Sequence, residues 1–148
     1  MLHATHRMLV GQWPAEREVG TVTLDWDSRH RRRFRLGTDQ GEELLLDLPA
    51  ALRLGHGDGL VVGDSGIVRV IAAEEDLLEI RAGEAGLARL AYHLGNRHLL
   101  VEICADCLII RADAVIEDMV LVLGGAVQPL KRPFSPESGA YGGGHRHE

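Results

Sequence analysis

The sequence predicts an α+β protein with a small all-β N-terminal domain, a ferredoxin-like βαββαβ domain and a flexible C-terminal tail. Three observations carry this. Short alternating segments broken by Gly- and Asp-bearing turns fill the first half. Two helical stripes are interleaved with four apolar segments in the second half. From Pro133 the chain turns Pro/Gly-rich and polar, finishing Gly142-Gly143-Gly144-His145-Arg146-His147-Glu148. The expected domains are residues 1–75 and 76–133, with residues 134–148 as tail.

In the first half, Thr21–Asp27 sets Val22, Leu24 and Trp26 against Thr21, Thr23 and Asp25 with a period of two, a half-buried strand. Arg31–Leu36 and Glu43–Leu48 flank Thr38-Asp39-Gln40-Gly41, a hairpin signal. Leu60–Val62 and Ile67–Ala72 flank Gly63-Asp64-Ser65-Gly66, a second hairpin, and Pro49, Gly55 and Gly57 punctuate the stretch between. Short strands at this spacing suggest a small sandwich or barrel. The acidic triplet Glu74-Glu75-Asp76 marks the boundary.

In the second half, Leu77–Arg81 reads as a strand. Glu84–Leu94 follows with Leu87, Leu90, Ala91 and Leu94 on one helical face. Gly95-Asn96 is the expected left-handed stop. Leu99–Ile103 and Leu108–Arg111 form a hairpin across Ala105-Asp106. Asp113 is an N-cap for a helix through Leu123, ended by Gly124-Gly125, and Val127–Leu130 is the last strand. This order is that of the ferredoxin-like split βαβ unit.

Composition narrows the class. Of 148 residues, 45% are hydrophobic and 4% aromatic, so the core must be built of Leu, Val, Ile and Ala. The net charge of −6 divides evenly between the halves, and neither half has the positive field that binding to nucleic acid favours. The first residues hold no continuous apolar stretch of the signal-peptide kind, and no run approaches the ~20 apolar residues of a membrane-spanning helix. Two cysteines fit reduced thiols in the cytoplasm. No G-x-S-x-G elbow, Walker A loop or H-E-x-x-H is present, so the expectation is a non-enzyme.

Imidazole is the side chain most often recruited to transition metals. His98 follows the first helix at the mouth of the next strand, and two readings stand: a solvated surface side chain, or half of a metal site completed by its own copy across a twofold axis. His145 and His147 form an H-x-H pair on the tail, which is either incidental or able to bring both rings to one ion. Cys104-Ala-Asp-Cys107 has no second C-x-x-C and lies between two strands, so zinc-knuckle and redox-helix settings are both missing. His93, near a helix C-terminus, suits the dipole or supports a neighbouring ligand. His3, His6, His30 and His56 read as solvated side chains. Arg31, Arg33 and Arg35 alternate along a strand, giving either a solvated face or a stripe for an acidic partner.

Tyr92-His93-Leu94-Gly95-Asn96-Arg97-His98 resembles the central motif of the UreE urease accessory proteins. Pro133–His145 (PFSPESGAYGGGH) resembles the exit of that family into its histidine-bearing tail. Asp113–Leu123 is similar to its second helix, and Arg29–Pro49 to its N-terminal β domain. The resemblance covers nearly the whole chain in order. It implies a partner-contacting β domain, a metal-binding domain and a homodimer with one nickel(II) at the interface. It implies delivery of nickel to the urease apoenzyme with the accessory GTPase complex. His98 then maps to the interfacial ligand, and His145 and His147 to tail ligands. Relatives with further histidines before the second helix differ from this chain, which has Arg111, Ala112 and Ala114 there, so peripheral sites are not expected.

A carrier needs an exchangeable, partly hydrated site, which suits paired imidazoles better than a closed cage. Nickel is the expected cargo, and zinc or copper can bind the same ligands. The alternatives are a metal-independent protein- or RNA-binding module using the arginine stripe, and a simple nickel buffer. Strands Leu99–Ile103 and Leu108–Arg111 contain no aromatic for base stacking, which counts against RNA. Metal binding needs neutral imidazole, so affinity should fall as pH drops through roughly 6.5. A titration series from pH 5 to 8 that shows flat affinity would contradict the imidazole assignment.

Overall fold

A computed structural model describes residues 1–138 of the chain. His145 and His147 lie outside the described residues. The chain divides into two compact units, Met1–Ala73 and the part from Glu74 onward, with the break at the acidic triplet. Among the described residues no helix is long and apolar enough to cross a membrane.

The first unit is one six-stranded mixed sheet. Its strands are β1 (Leu2–Met8), β2 (Glu18–Leu24), β3 (His30–Gly37), β4 (Glu43–Arg53), β5 (Gly59–Val62) and β6 (Gly66–Ala72), in the order β2-β6-β5-β1-β4-β3. β1 pairs in parallel with β4, and β2 with β6; the other pairings are antiparallel. The two edge strands do not stay apart. The turn between β3 and β4 folds back onto β2, where the Asp39 N–H donates to Thr21 O at 2.8 Å and the Thr21 N–H to Gln40 Oε1 at 2.8 Å. Asp39 Oδ2 accepts from the hydroxyls of Thr21 and Thr23. These bonds curl the sheet around a core of Leu44, Leu46, Leu48, Leu54, Leu60, Val22, Val68 and Val70, all buried.

Two boundaries differ from the sequence expectation. β1 was not expected, because His3, Thr5, His6 and Arg7 hide its alternation, yet it lies centrally, between β5 and β4. β4 runs on through Pro49 to Arg53 rather than stopping at Leu48. The register explains this: Arg31 faces Leu52 while Arg33 faces Asp47, so Pro49 sits in an irregular stretch that makes no ladder demand on its missing N–H.

Asp58 ties the loops at one end of this unit. It is buried and accepts from Arg7 at 2.9 Å, from the Val10 N–H at 3.0 Å and from the Gly55 N–H at 2.8 Å.

The second unit is a four-stranded antiparallel sheet, order β10-β7-β9-β8, built from β7 (Glu75–Arg81), β8 (Glu102–Ile103), β9 (Leu108–Arg111) and β10 (Ala126–Arg132). Helix α1 (Leu87–Asn96) joins β7 to β8, and α2 (Ala114–Val122) joins β9 to β10. Leu78, Ile80, Leu108 and Ile110 point to the face that packs Leu90, Leu94, Ile116 and Val120 of the helices. The opposite face carries Leu77 and Ile109, and Phe134 is buried with the Arg111 guanidinium 5.3 Å from its ring centroid. Asp113 caps α2 as expected, its Oδ1 accepting from the Val115 and Ile116 N–H groups.

β8 is shorter than the expected Leu99–Ile103. The carbonyl of Val101 is taken instead by the Glu137 N–H, at 2.8 Å, and Glu102 accepts from Ser135 N–H and Arg132. The segment after β10 thus crosses from one edge of the sheet to the other and straps the β8 edge, satisfying groups that an unpaired edge would expose.

Removing the Asp58 carboxylate strands Arg7 and two backbone N–H groups. Asp58→Ala should lower the stability of the chain by about 3 kcal/mol in urea unfolding. A loss below about 1 kcal/mol would show that the cluster is dispensable.

Candidate metal site

The site begins with the way α1 ends. The His98 N–H donates to Gly95 O at 2.9 Å and the Leu99 N–H to Leu94 O at 3.4 Å. This pair of bonds is the Schellman termination, in which the residue just past the helix adopts left-handed backbone and is usually glycine. α2 ends in the same way: Gly124 N–H donates to Leu121 O and Gly125 N–H to Val120 O, with Gly124 at φ +96°. At the equivalent place α1 has His98, at φ +60°. It is the one non-glycine residue with positive φ among the described residues. The expected stop at Gly95-Asn96 is therefore corrected: both stay helical, and the left-handed residue is the histidine.

A side chain in this region costs about 1 kcal/mol relative to glycine. The conformation is held by the apolar contact that accompanies the motif, since Leu94 is buried and Leu99 packs on the same core. The result is an exposed imidazole on a rigid backbone rather than on a loose loop. It opens onto a cleft of about 420 Å³ lined by Leu99, Leu100, Ile110, Arg111, Asp113 and Ile116. Arg97 Nε reaches Met119 Sδ at 2.8 Å, tying the end of α1 to α2.

His98 brings no further ligand with it. Asp113 lines the cleft, but its Oδ1 is engaged as the α2 cap. Among the described residues no group of three or more His, Cys, Asp and Glu side chains could hold a metal. One copy of the described chain therefore offers a single imidazole. Among the described residues, His3, His6, His56 and His93 make contacts of their own. His93 packs edge-on against Tyr92, with ring centroids 5.3 Å apart. His3 lies 3.6 Å from Asp47 and His6 bonds Thr5. His56, expected to be simply solvated, accepts the Ala72 N–H on Nδ1 at 3.1 Å.

Helix α2 exposes apolar side chains. Val115 and Val122, with Met119 between them, form one stripe of α2, and the two valines are 72% and 87% exposed. Leu100, in the cleft wall, is also exposed. A helix that is apolar on nearly every face is ordinarily a buried one.

Glu137 is held at Val101, three residues past His98 in sequence.

The arginine stripe is not the continuous row expected. Arg33 faces Asp47, paired at 3.1 Å, and Arg35 follows on the same face. The register shift turns Arg31 the other way, its guanidinium 4.1 Å from the Phe34 ring centroid.

The fold is that of a two-domain protein whose C-terminal α+β unit carries an exposed histidine on left-handed backbone. Models of the UreE urease accessory protein match it in both parts, the N-terminal domain over residues 2–73 and the C-terminal domain over residues 75–148. The chain is 51% identical over 128 residues to urease accessory protein UreE of Paraburkholderia xenovorans (strain LB400), covering 86% of this chain and 57% of the relative. It is 49% identical over 142 residues to UreE of Bradyrhizobium sp. (strain ORS 278), covering 95% and 67%. With UreE of Chelativorans sp. (strain BNC1) the identity is 47% over 134 residues, covering 90% and 84%. The chain thus spans little more than half the length of some curated relatives. It belongs to the UreE urease accessory protein family.

Replacing His98 by glycine removes the imidazole and relieves the backbone. The metal-free His98→Gly chain should be about 1 kcal/mol more stable than wild type, with His98→Ala gaining nothing. Urea unfolding of the three chains checks this; a His98→Gly chain less stable than wild type would contradict the strained termination.

Proposed function

We propose that this protein is a nickel-binding metallochaperone that serves the assembly of the urease metallocentre, and that it works as a homodimer with nickel(II) held between two copies of His98. The observation that carries the reading is the left-handed His98: the family motif places an imidazole where the backbone prefers glycine, and its one-copy environment is incomplete as a metal site. A conformational cost kept at an exposed ligand residue is the pattern expected of function.

A twofold axis near His98 supplies the second imidazole without any new residue. The exposed stripe Val115–Met119–Val122 and Leu100 give that contact its apolar surface. The strand order and helix connections of the second unit agree with a ferredoxin-like domain. His145 lies eight residues beyond Glu137 in sequence, a length that as coil would reach roughly 16 Å, which supports a contribution from the H-x-H pair. His145 and His147 then raise the number of nitrogen ligands and give the ion a way to leave. Two imidazoles with water and a tail ligand form a site that exchanges, which suits nickel as cargo. Zinc and copper compete for the same ligands.

The partners on this reading are the urease apoenzyme and the accessory GTPase complex in the cytoplasm, with the N-terminal unit as docking domain. Arg33 and Arg35 are the part of the basic stripe left on one face to meet an acidic surface.

Calorimetric nickel titration with the oligomeric mass recorded in parallel tests this. Wild type should bind about one tight nickel per two chains. His98→Ala should abolish that binding, while a chain ending at Gly144 should only weaken it. Val115→Glu should shift the mass toward the single chain. Unchanged tight binding in His98→Ala would remove the interfacial site and leave a tail-borne buffer.

A further inference from the structure

The hairpin that carries both cysteines has a geometry that the nickel reading does not use. β8 and β9 pair Glu102 with Ile109 and Ile103 with Leu108. Continuing that register puts Cys104 opposite Cys107 across the two-residue turn Ala105-Asp106, and the Cys104 N–H donates to Cys107 O at 3.0 Å. Directly opposed residues of a hydrogen-bonded antiparallel pair have Cα atoms about 5.5 Å apart and side chains on the same face. That spacing is the common one for a disulfide. Both cysteines are free.

We propose that Cys104 and Cys107 are a redox-active dithiol that closes reversibly into an intrachain disulfide by exchange with a small-molecule disulfide of the glutathione type.

The two sulfurs differ in access. Cys104 is part-exposed, whereas Cys107 is 4% exposed. Cys104 Sγ lies 4.0 Å from the Arg132 guanidinium and 3.9 Å from a Glu102 carboxylate oxygen. Cys104 is therefore the sulfur that a disulfide in solution can reach. Its thiolate attacks one sulfur of the reagent, the reagent S–S bond breaks, and one small-molecule thiol leaves. Cys107 then loses its proton to solvent and attacks Cys104 Sγ. The mixed disulfide breaks and a second small-molecule thiol departs. Two protein thiols are oxidised and one reagent disulfide is reduced to two thiols, so no further oxidant is needed. Burial pushes the Cys107 thiol up to about 11, so its attack on the mixed disulfide relies on the closeness of the two sulfurs rather than on a ready thiolate. The bond would close across a hydrogen-bonded strand pair and beside solvent, and exposed or strained disulfides are the easily reduced ones.

The site also adjoins the strap. Glu102 and Arg132, which flank Cys104 Sγ, are the residues that hold Ser135 and the segment leading to the tail.

The test uses the full, reduced, nickel-free chain in glutathione disulfide, stopped with acid and a thiol-blocking reagent and read by intact mass and peptide mapping. Wild type should lose the mass of two hydrogens through a Cys104–Cys107 link and regain it with dithiothreitol. Cys107→Ser should stop at one glutathione on Cys104. In wild type that adduct should be roughly tenfold or more less abundant, because the second thiol is already in place. Cys104→Ser should leave Cys107 unmodified. Persistent glutathione adducts on wild type, links between chains, or a wild type that stays reduced where Cys107→Ser is modified would each overturn the proposal.

Discussion

Two backbone hydrogen bonds at the end of α1, from His98 to Gly95 and from Leu99 to Leu94, fix the turn that presents His98. They need left-handed backbone at His98, and they send the chain into the segment that reaches β8. The core supplies the force that holds them, through Leu94 beneath the turn and Leu99 just after it. A side chain presented in this way has less freedom left to lose, because the main chain behind it is already fixed. The comparison with α2, which ends on the same motif with glycine, shows that the fold does not itself demand histidine at this place.

The strap gives the same unit its second constraint. Arg132, Ser135 and Glu137 engage Glu102 and Val101, and Phe134 is buried beneath them on the face away from the helices. An exposed sheet edge is thereby closed.

Much of this was legible in the sequence, and the failures have particular causes. α2 and its Asp113 cap could be read because Asp, an apolar run and Gly-Gly stand in order. The paired hairpin strands around Asp39 and Ser65 could be read from turn chemistry. β1 could not, because its outward residues His3, Thr5 and Arg7 leave no apolar alternation, and its pairing with β4 and β5 is settled by distant partners. The left-handed residue was misplaced at Gly95-Asn96 because glycine is the usual signal. The pair Leu94 and Leu99, five apart on either side of the stop, was the signal that would have found it. The arginine stripe looked continuous because alternation assumes a regular ladder; the irregular β4 around Pro49 breaks it at Arg31. Asp58 gave no sign at all, since a buried carboxylate shared by Arg7, Val10 and Gly55 exists only after the loops have met.

The central claim is that His98 is half of a site, completed by the same residue of a second chain. Native mass spectrometry at a nickel concentration below that of the protein measures this most directly, because it counts metal and chains in one species. The account predicts nickel on the two-chain species, one ion each, with the single chain remaining empty. Nickel carried by single chains at the same occupancy would contradict it.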